Sequence, residues 1–220
     1  MAEIKACLFD LDGVIVDTAK YHYLAWKRLA QELGFEFTKE DNERLKGVSR
    51  MESLNILLEI GGVSFDAAKK EKLAEMKNNW YVEYISKMDS SEVLPGVIDF
   101  IKELRESGIK TALGSVSKNA MLILKNIGIL QYLDAVIDGT KITNAKPHPE
   151  VFLKGAEELK VAPFECVVFE DAKAGIEAAI NAGMYSIGVG SPRILNKADF
   201  VISSFKEMDI GKLNKITNKI

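Results

Sequence analysis

Six short apolar runs alternate with amphipathic helical stretches along this chain, and that alternation constrains its fold more than any other feature. The runs are Ala6–Phe9, Lys110–Leu113, Ala135–Ile137, Val167–Phe169, Tyr185–Val189 and Phe200–Ile202. Several are apolar throughout, as strands buried on both faces are, so they predict one parallel sheet covered by helices. Between them, Val97, Phe100, Ile101 and Leu104 follow the i, i+3, i+4, i+7 rule of a helix face. A second helix is expected to open near Lys118 and to stop at Gly128. Val151, Phe152, Gly155, Ala156 and Leu159 make another face, and Ala172 to Ala182 a further segment closed by Gly183.

The stretch from Ala19 to about Met88 breaks the pattern. Strands vanish, and three helical faces follow one another: Trp26, Leu29, Ala30 and Leu33; then Leu54, Leu57 and Leu58; then Leu73 to Ile85. The expectation is therefore an α/β protein with a Rossmann-like parallel-sheet core of residues 1–16 and 91–220, and an all-helical cap domain of residues 17–90 inserted after the first strand. Ligands of open parallel sheets bind beyond the C-terminal strand ends. An insert leaving just after the first strand is placed to act as a lid over such a site.

Composition narrows the function. Over 220 residues, hydrophobic content of 47% and charged content of 28% are those of an ordinary globular protein. With a net charge of −3 and scattered Lys and Arg, no broad basic face for nucleic acid is expected. The apolar runs are too short to span a bilayer. The N-terminus runs directly into the first strand without a signal-peptide layout, and Cys7 and Cys166 lie in apolar strand-like runs, so a reducing, cytoplasmic setting is expected. No interface stripe stands out, which makes a monomer the default.

Four chain segments ending at the same sheet edge carry candidate chemistry. Asp10 and Asp12 follow the first strand; in extended chain such i, i+2 carboxylates point to one side, roughly 6.6 Å apart at Cα. One can attack an electrophile or hold a metal while the other moves a proton. Gly114-Ser115 follows the second run, where a hydroxyl and backbone amides at a helix start suit a phosphate oxygen. Lys146 precedes Pro147, which is expected to open a helix, and Glu170-Asp171 stands at what reads as the start of another. Several carboxylates with carbonyls and water make a hard-oxygen site suited to Mg²⁺. Mg²⁺ and a lysine would neutralise the repulsion between a carboxylate nucleophile and a phosphate, leaving the second Asp as acid and base. No Gly-x-x-x-x-Gly-Lys segment is present, which argues against a nucleotide P-loop.

Asp10-Leu11-Asp12-Gly13-Val14, Ser115, Lys146-Pro147 and Glu170-Asp171, in that order, resemble the four motifs of the haloacid dehalogenase superfamily, and the insert resembles its helical cap. The resemblance covers essentially the whole chain. It implies that Asp10 forms an aspartyl phosphate, and that Asp12 moves the proton and lends its backbone carbonyl to the metal. By the same resemblance Ser115 and Lys146 bind the transferring phosphoryl group, and one Mg²⁺ is held by Asp10, Asp12, Glu170 and Asp171.

Three further segments resemble the β-phosphoglucomutase branch of that superfamily: Asp17-Thr18-Ala19-Lys20-Tyr21-His22 at the hinge, Leu45-Lys46-Gly47-Val48-Ser49-Arg50 in the cap, and Ser117-Lys118-Asn119 after Ser115. The resemblance implies interconversion of β-glucose 1-phosphate and glucose 6-phosphate, with β-glucose 1,6-bisphosphate as intermediate and activator. It assigns Arg50, Ser117, Lys118 and Asn119 to the phosphate that is not being transferred. Lys46, Gly47, Val48 and Ser49 belong to the same substrate-binding segment, with Leu45 and Val48 expected to help seal the closed lid. Thr18 and His22 are expected to hold Asp12 out of position until closure. Lys77, on the third cap helix, is a further candidate, and Trp26 is a sugar platform or a cap-core residue. The alternatives are a Mg²⁺-dependent phosphatase of sugar phosphates or small metabolites on the same scaffold, and a non-catalytic phosphosugar-binding protein.

Overall fold

The computed structural model describes residues 3–45 and 49–217. Two compact units are present, one made of residues 1–17 and 88–220 and the other of residues 18–87. The division lies close to the expected one, with Asp17 and Met88 to Ser90 on the sheet side. The reason is local. Val16 forms an antiparallel bridge to Val93, Leu94 N–H donates to Ile15 O at 2.9 Å, and Asp89 accepts from Ser91 N–H at 2.8 Å, so the returning chain is already tied to the sheet unit.

The sheet unit contains β1 (Ala6–Phe9), β2 (Lys110–Gly114), β3 (Ala135–Ile137), β4 (Cys166–Glu170), β5 (Tyr185–Val189) and β6 (Phe200–Ile202). All six runs seen in the sequence are strands, and they pair in parallel in the order β3-β2-β1-β4-β5-β6. The helical unit holds α1 (Ala19–Glu32), α2 (Lys39–Glu43), α3 (Arg50–Ile60) and α4 (Ala67–Ile85). The remaining helices, α5 (Val97–Glu106), α6 (Ala120–Asn126), α7 (Glu150–Leu159), α8 (Lys173–Asn181) and α9 (Ile210–Thr217), belong to the sheet unit.

One sheet face packs Leu8, Ala112, Ile137 and Val168 against Val151, Phe152 and Ala156 of α7 and Ala178 and Ala179 of α8. The other face carries an aromatic cluster directly beneath the sheet edge of interest. Phe9 and Phe169, paired in register on β1 and β4, stack with ring centroids 5.0 Å apart, and Phe100 of α5 and Phe205 close on them at 5.2–6.5 Å. Burial of each ring contributes roughly 1.5–3 kcal/mol, and the ring pairs add about 0.5–1.5 kcal/mol each. Both edge strands are pinned by an aspartate just before them. Asp134 accepts from Thr111 N–H at 2.8 Å, and Asp199 accepts from Ser186 N–H at 2.7 Å and its hydroxyl at 2.9 Å.

Three helix starts differ from the sequence reading. The helix expected near Lys118 begins at Ala120, because Ser115 Oγ accepts from Ser117 N–H and Ser117 Oγ from Asn119 N–H, turning the chain before the helix can open. Pro147 does not open a helix; its peptide bond with Lys146 is cis, and α7 starts at Glu150 after Pro149. Glu170 is the last residue of β4 rather than a helix-start acid, and α8 begins at Lys173. Both cysteines are buried and free, and burial pushes the Cys166 thiol up to about 12, as expected of inert packing residues. Among the described residues no helix is long and apolar enough to cross a membrane.

Candidate active site

The strand order reverses direction between β1 and β4, and an open parallel sheet parts its loops at such a point. Asp10 leaves β1 there and Glu170 ends β4 beside it, with Asp10 N–H donating to Phe169 O at 3.0 Å. Gly13, at φ +78°, turns the chain after the second acid. Asp12 N–H donates to Asp10 Oδ2 at 2.9 Å, so the two motif acids are locked in one short turn.

Lys146 reaches this point from the loop after β3. Its ammonium donates to Asp10 Oδ1 and, at 2.6 Å, to Glu170 Oε1, and lies 4.8 Å from the ring centroid of Phe152. Burial works against the charge on Lys146, but Asp10 and Glu170 outweigh it and hold the lysine above its usual value. Burial, with Glu170 and Asp12 nearby, pushes the Asp10 carboxyl above the usual range against the pull of Lys146. Asp171 is pushed up to about 7 by removal of water and by Glu170 and Asp12, although its outer side stays exposed to solvent. Ser115 is buried at the end of β2 and donates its N–H to Ile137 O at 2.9 Å. Ser117, Lys118 and Asn119 follow in a loop zipped to the end of β3 by Gly139 N–H donating to Ser117 O at 3.1 Å.

The helical unit gathers a second group. Lys77 Nζ lies 2.9 Å from His22 Nδ1, and 4.5 and 5.0 Å from the ring centroids of Trp26 and Tyr81. The His22 ring stacks on Tyr81 at 4.0 Å. Burial and the charge of Arg50 bring Lys77 down to about 7, and burial with the charges of Lys77 and Arg50 brings His22 down to about 3. His22 is thus neutral. Arg50 is the exposed first residue of α3, and Ser49 caps that helix by accepting from Glu52 N–H at 3.2 Å. Thr18 is buried at the start of α1, where its hydroxyl does not cap the helix. Trp26 and Leu45 are packed in the apolar core of the helical unit. Lys46, Gly47 and Val48 lie outside the described residues.

The haloacid dehalogenase-like hydrolase family matches residues 4–183, spanning Asp10, Ser115, Lys146 and Glu170 alike. The chain belongs to that family. Its relatives include a β-phosphoglucomutase of Bacillus subtilis, 41% identical over 96% of this chain and 95% of that protein. A phosphorylated carbohydrates phosphatase of Thermotoga maritima is 34% identical over 84% of each chain. Among solved structures, a β-phosphoglucomutase of Clostridium difficile superposes with a TM-score of 0.88 at 44% identity, covering 98% of both chains.

This haloacid dehalogenase-like enzyme offers a donor set that fits Mg²⁺. The candidate donors are all oxygens, and among the described residues Lys146 is the ammonium that pairs with Asp10 and Glu170. A Cβ on Gly13 would overlap the Asp171 carboxylate, and one on Gly175 would overlap Glu170, so both acids occupy space that only glycine leaves open. Among the described residues no three acids, histidines or cysteines are drawn into a finished coordination group; Lys146 bridges Asp10 and Glu170. The sequence reading missed Gly175, Phe152 and Glu150. A glycine, an aromatic on an apolar face and an acid in a first helical turn each carry an ordinary structural meaning, and only the neighbours brought by folding mark them out.

Proposed function

We propose that this enzyme is a Mg²⁺-dependent phosphomutase that interconverts β-glucose 1-phosphate and glucose 6-phosphate through an aspartyl phosphate at Asp10 and β-glucose 1,6-bisphosphate. The observation that carries the reading is the joint hold on Asp10: one oxygen taken by Lys146, the other by the N–H of Asp12. That hold fixes the carboxylate for attack and sets a second acid two residues away. The 41% identity to a β-phosphoglucomutase over nearly the whole chain favours a sugar mutase.

In this reading the Asp10 carboxylate attacks phosphorus. A bond from Asp10 to phosphorus forms, the bond from phosphorus to the sugar oxygen breaks, and Asp12 gives that oxygen its proton. In the reverse direction Asp12 takes the proton of the other sugar hydroxyl as its oxygen attacks the aspartyl phosphate. Ser115 and Lys146 bind the transferring group, and the Lys146 charge offsets the repulsion between carboxylate and phosphate. Mg²⁺, held by Asp10, Glu170, Asp171 and the Asp12 carbonyl, supplies further neutralisation of the phosphoryl oxygens when bound. Arg50, Ser117, Lys118 and Asn119 take the phosphate that stays on the sugar, Arg50 through its planar fork. The roles of Lys46, Gly47, Val48 and Ser49 in substrate binding, and of Thr18 and His22 in restraining Asp12, rest on the resemblance alone.

A second reading, a sugar-phosphate phosphatase, is favoured by the 34% identity to a phosphorylated carbohydrates phosphatase. It shares every step up to the aspartyl phosphate and ends with water. The deciding experiment supplies β-glucose 1-phosphate, Mg²⁺ and a trace of the bisphosphate, and follows glucose 6-phosphate and free phosphate together. Glucose 6-phosphate without free phosphate supports the mutase, free phosphate supports the phosphatase, and undiminished turnover by D10N removes the aspartyl-phosphate mechanism altogether.

A further inference from the structure

Lys146 enters the site from a twelve-residue connection, Asp138 to Pro149, that holds neither helix nor strand. Ile142 packs against the sheet core, but the next three residues, Thr143, Asn144 and Ala145, are exposed. Apolar packing therefore does not fix the backbone immediately before Lys146. A single carboxylate does. Glu150, in the first turn of α7, accepts from Thr143 N–H at 3.1 Å through Oε1, and from Asn144 N–H at 2.8 Å and its Nδ2 at 3.0 Å through Oε2.

The Glu150 side chain is only 12% exposed, and Lys154, one turn on, pairs with its Oε1 at 2.7 Å. Lys154 also donates to Lys141 O at 2.7 Å, tying the front of the connection to the same helix face. At the far end His148 N–H closes a turn onto Ala145 O at 3.0 Å, and Asn181 Nδ2 donates to Pro147 O at 3.1 Å. The same helix supplies Phe152, over whose ring the Lys146 ammonium sits. The hydrogen bond from Lys154, with those from the N–H groups of Asn144 and Thr143, holds the Glu150 carboxyl down at about 2, so it stays an acceptor throughout the working pH range.

We propose that Glu150 is a positioning residue of the active site: by gathering the N–H groups of Thr143 and Asn144 and the ammonium of Lys154, it sets the loop that delivers Lys146 to Asp10 and Glu170. The inference deepens the phosphotransfer reading and rests on it for its catalytic consequence. Charge-assisted bonds from backbone N–H to carboxylate are the strong ones, and a displacement of about 1 Å at a reacting group is enough to cost roughly 10²-fold in rate. Glu150→Gln offers one acceptor oxygen and an amide that faces an N–H, so at least one loop donor loses its partner.

The test has two readouts. Competitive acetylation with acetic anhydride, read lysine by lysine by mass spectrometry, needs no substrate. In E150Q the reactivity of Lys146 is expected to rise about tenfold. Lys110, which opens β2 and donates its ammonium to Leu159 O at 2.6 Å at the far end of α7, stays as it was. Turnover of β-glucose 1-phosphate then follows in a double-mutant cycle. E150Q is expected to slow the enzyme about tenfold in the native background and to change nothing further in K146A, while E150D, which keeps both oxygens, recovers most of the loss. Unchanged Lys146 labelling, a rise shared with Lys110, or an equal loss in both backgrounds each overturns the proposal. A native enzyme that turns over no phosphorylated sugar defeats the proposed function and leaves the labelling result to decide the loop's role.

Discussion

Replacing Lys146 by methionine removes the one ammonium that bridges Asp10 and Glu170, and the structure sets the size of the effect. The three side chains are 7%, 10% and 2% exposed, so little water is at hand to replace the lost charge. Taking one partner out of a buried ion pair costs about 3–5 kcal/mol. The lower end applies, because Asp10 is already pushed upward and can take up a proton when the lysine is gone. A loss of about 3 kcal/mol lowers the unfolding midpoint of a chain this size by roughly 6–12 °C.

The pH dependence follows from the direction of the shifts. Lys146 is raised in the folded protein, so its stabilisation is complete below the ordinary lysine value near 10.5 and is lost only as pH climbs through the raised one. In K146M the deficit is therefore present at pH 7 and shrinks toward pH 5, as protons take over the neutralisation of Asp10, whose carboxyl burial already pushes upward. Mg²⁺ restores the missing positive charge by another route, so the variant should gain more thermal stability from the ion than the native protein does. Calorimetry of both proteins in chelator and in Mg²⁺, from pH 5 to 8, measures all three effects. Equal midpoints in chelator at pH 7, or equal gains from Mg²⁺, would refute the argument that Lys146 answers an excess of negative charge.

Other expectations follow from single features. In G175A the new Cβ meets the Glu170 carboxylate and displaces it, so Mg²⁺ affinity measured by titration calorimetry should fall at least tenfold; unchanged affinity would separate Glu170 from the metal. Lys77 is lowered to about 7 when folded, so the unfolded chain binds the extra proton between pH 7 and 10.5 and stability of the helical unit rises with pH across that window. K77M should flatten that rise and raise the midpoint at pH 7, whereas a native midpoint already flat from pH 7 to 10 would place the lysine in water. R50A should lower bisphosphate use by about 10²-fold while leaving phosphorylation of Asp10 by a small phosphodonor nearly intact; unchanged mutase kinetics would remove Arg50 from the second phosphate site.

Much of the architecture is legible in the sequence, because strands buried on both faces must be apolar at every position. Ala6–Phe9 and Cys166–Phe169 therefore declare themselves, and the acids that follow them mark the sheet edge. The helical insert is equally plain, since its apolar faces repeat with the period of a helix. The tail was not: α9 was not singled out in the sequence, although Leu213 is fully buried.

Helix starts near the site were misplaced for one physical reason. Ser115, Ser117, Glu150 and Glu170 spend their side chains on backbone N–H groups, and a sequence does not show which N–H a hydroxyl or carboxylate will reach. The chain by itself determined the sheet, the insert and the order of Asp10, Ser115, Lys146 and Glu170. Only the tertiary structure decided that Lys146 would lie between Asp10 and Glu170, that Gly13 and Gly175 would make room for the acids, and that Lys77 would be buried against His22, Trp26 and Tyr81. Periodicity records which face of an element avoids water. The meeting of residues 136 positions apart, as Asp10 and Lys146 are, depends on strand order and loop anchoring, which no local pattern encodes.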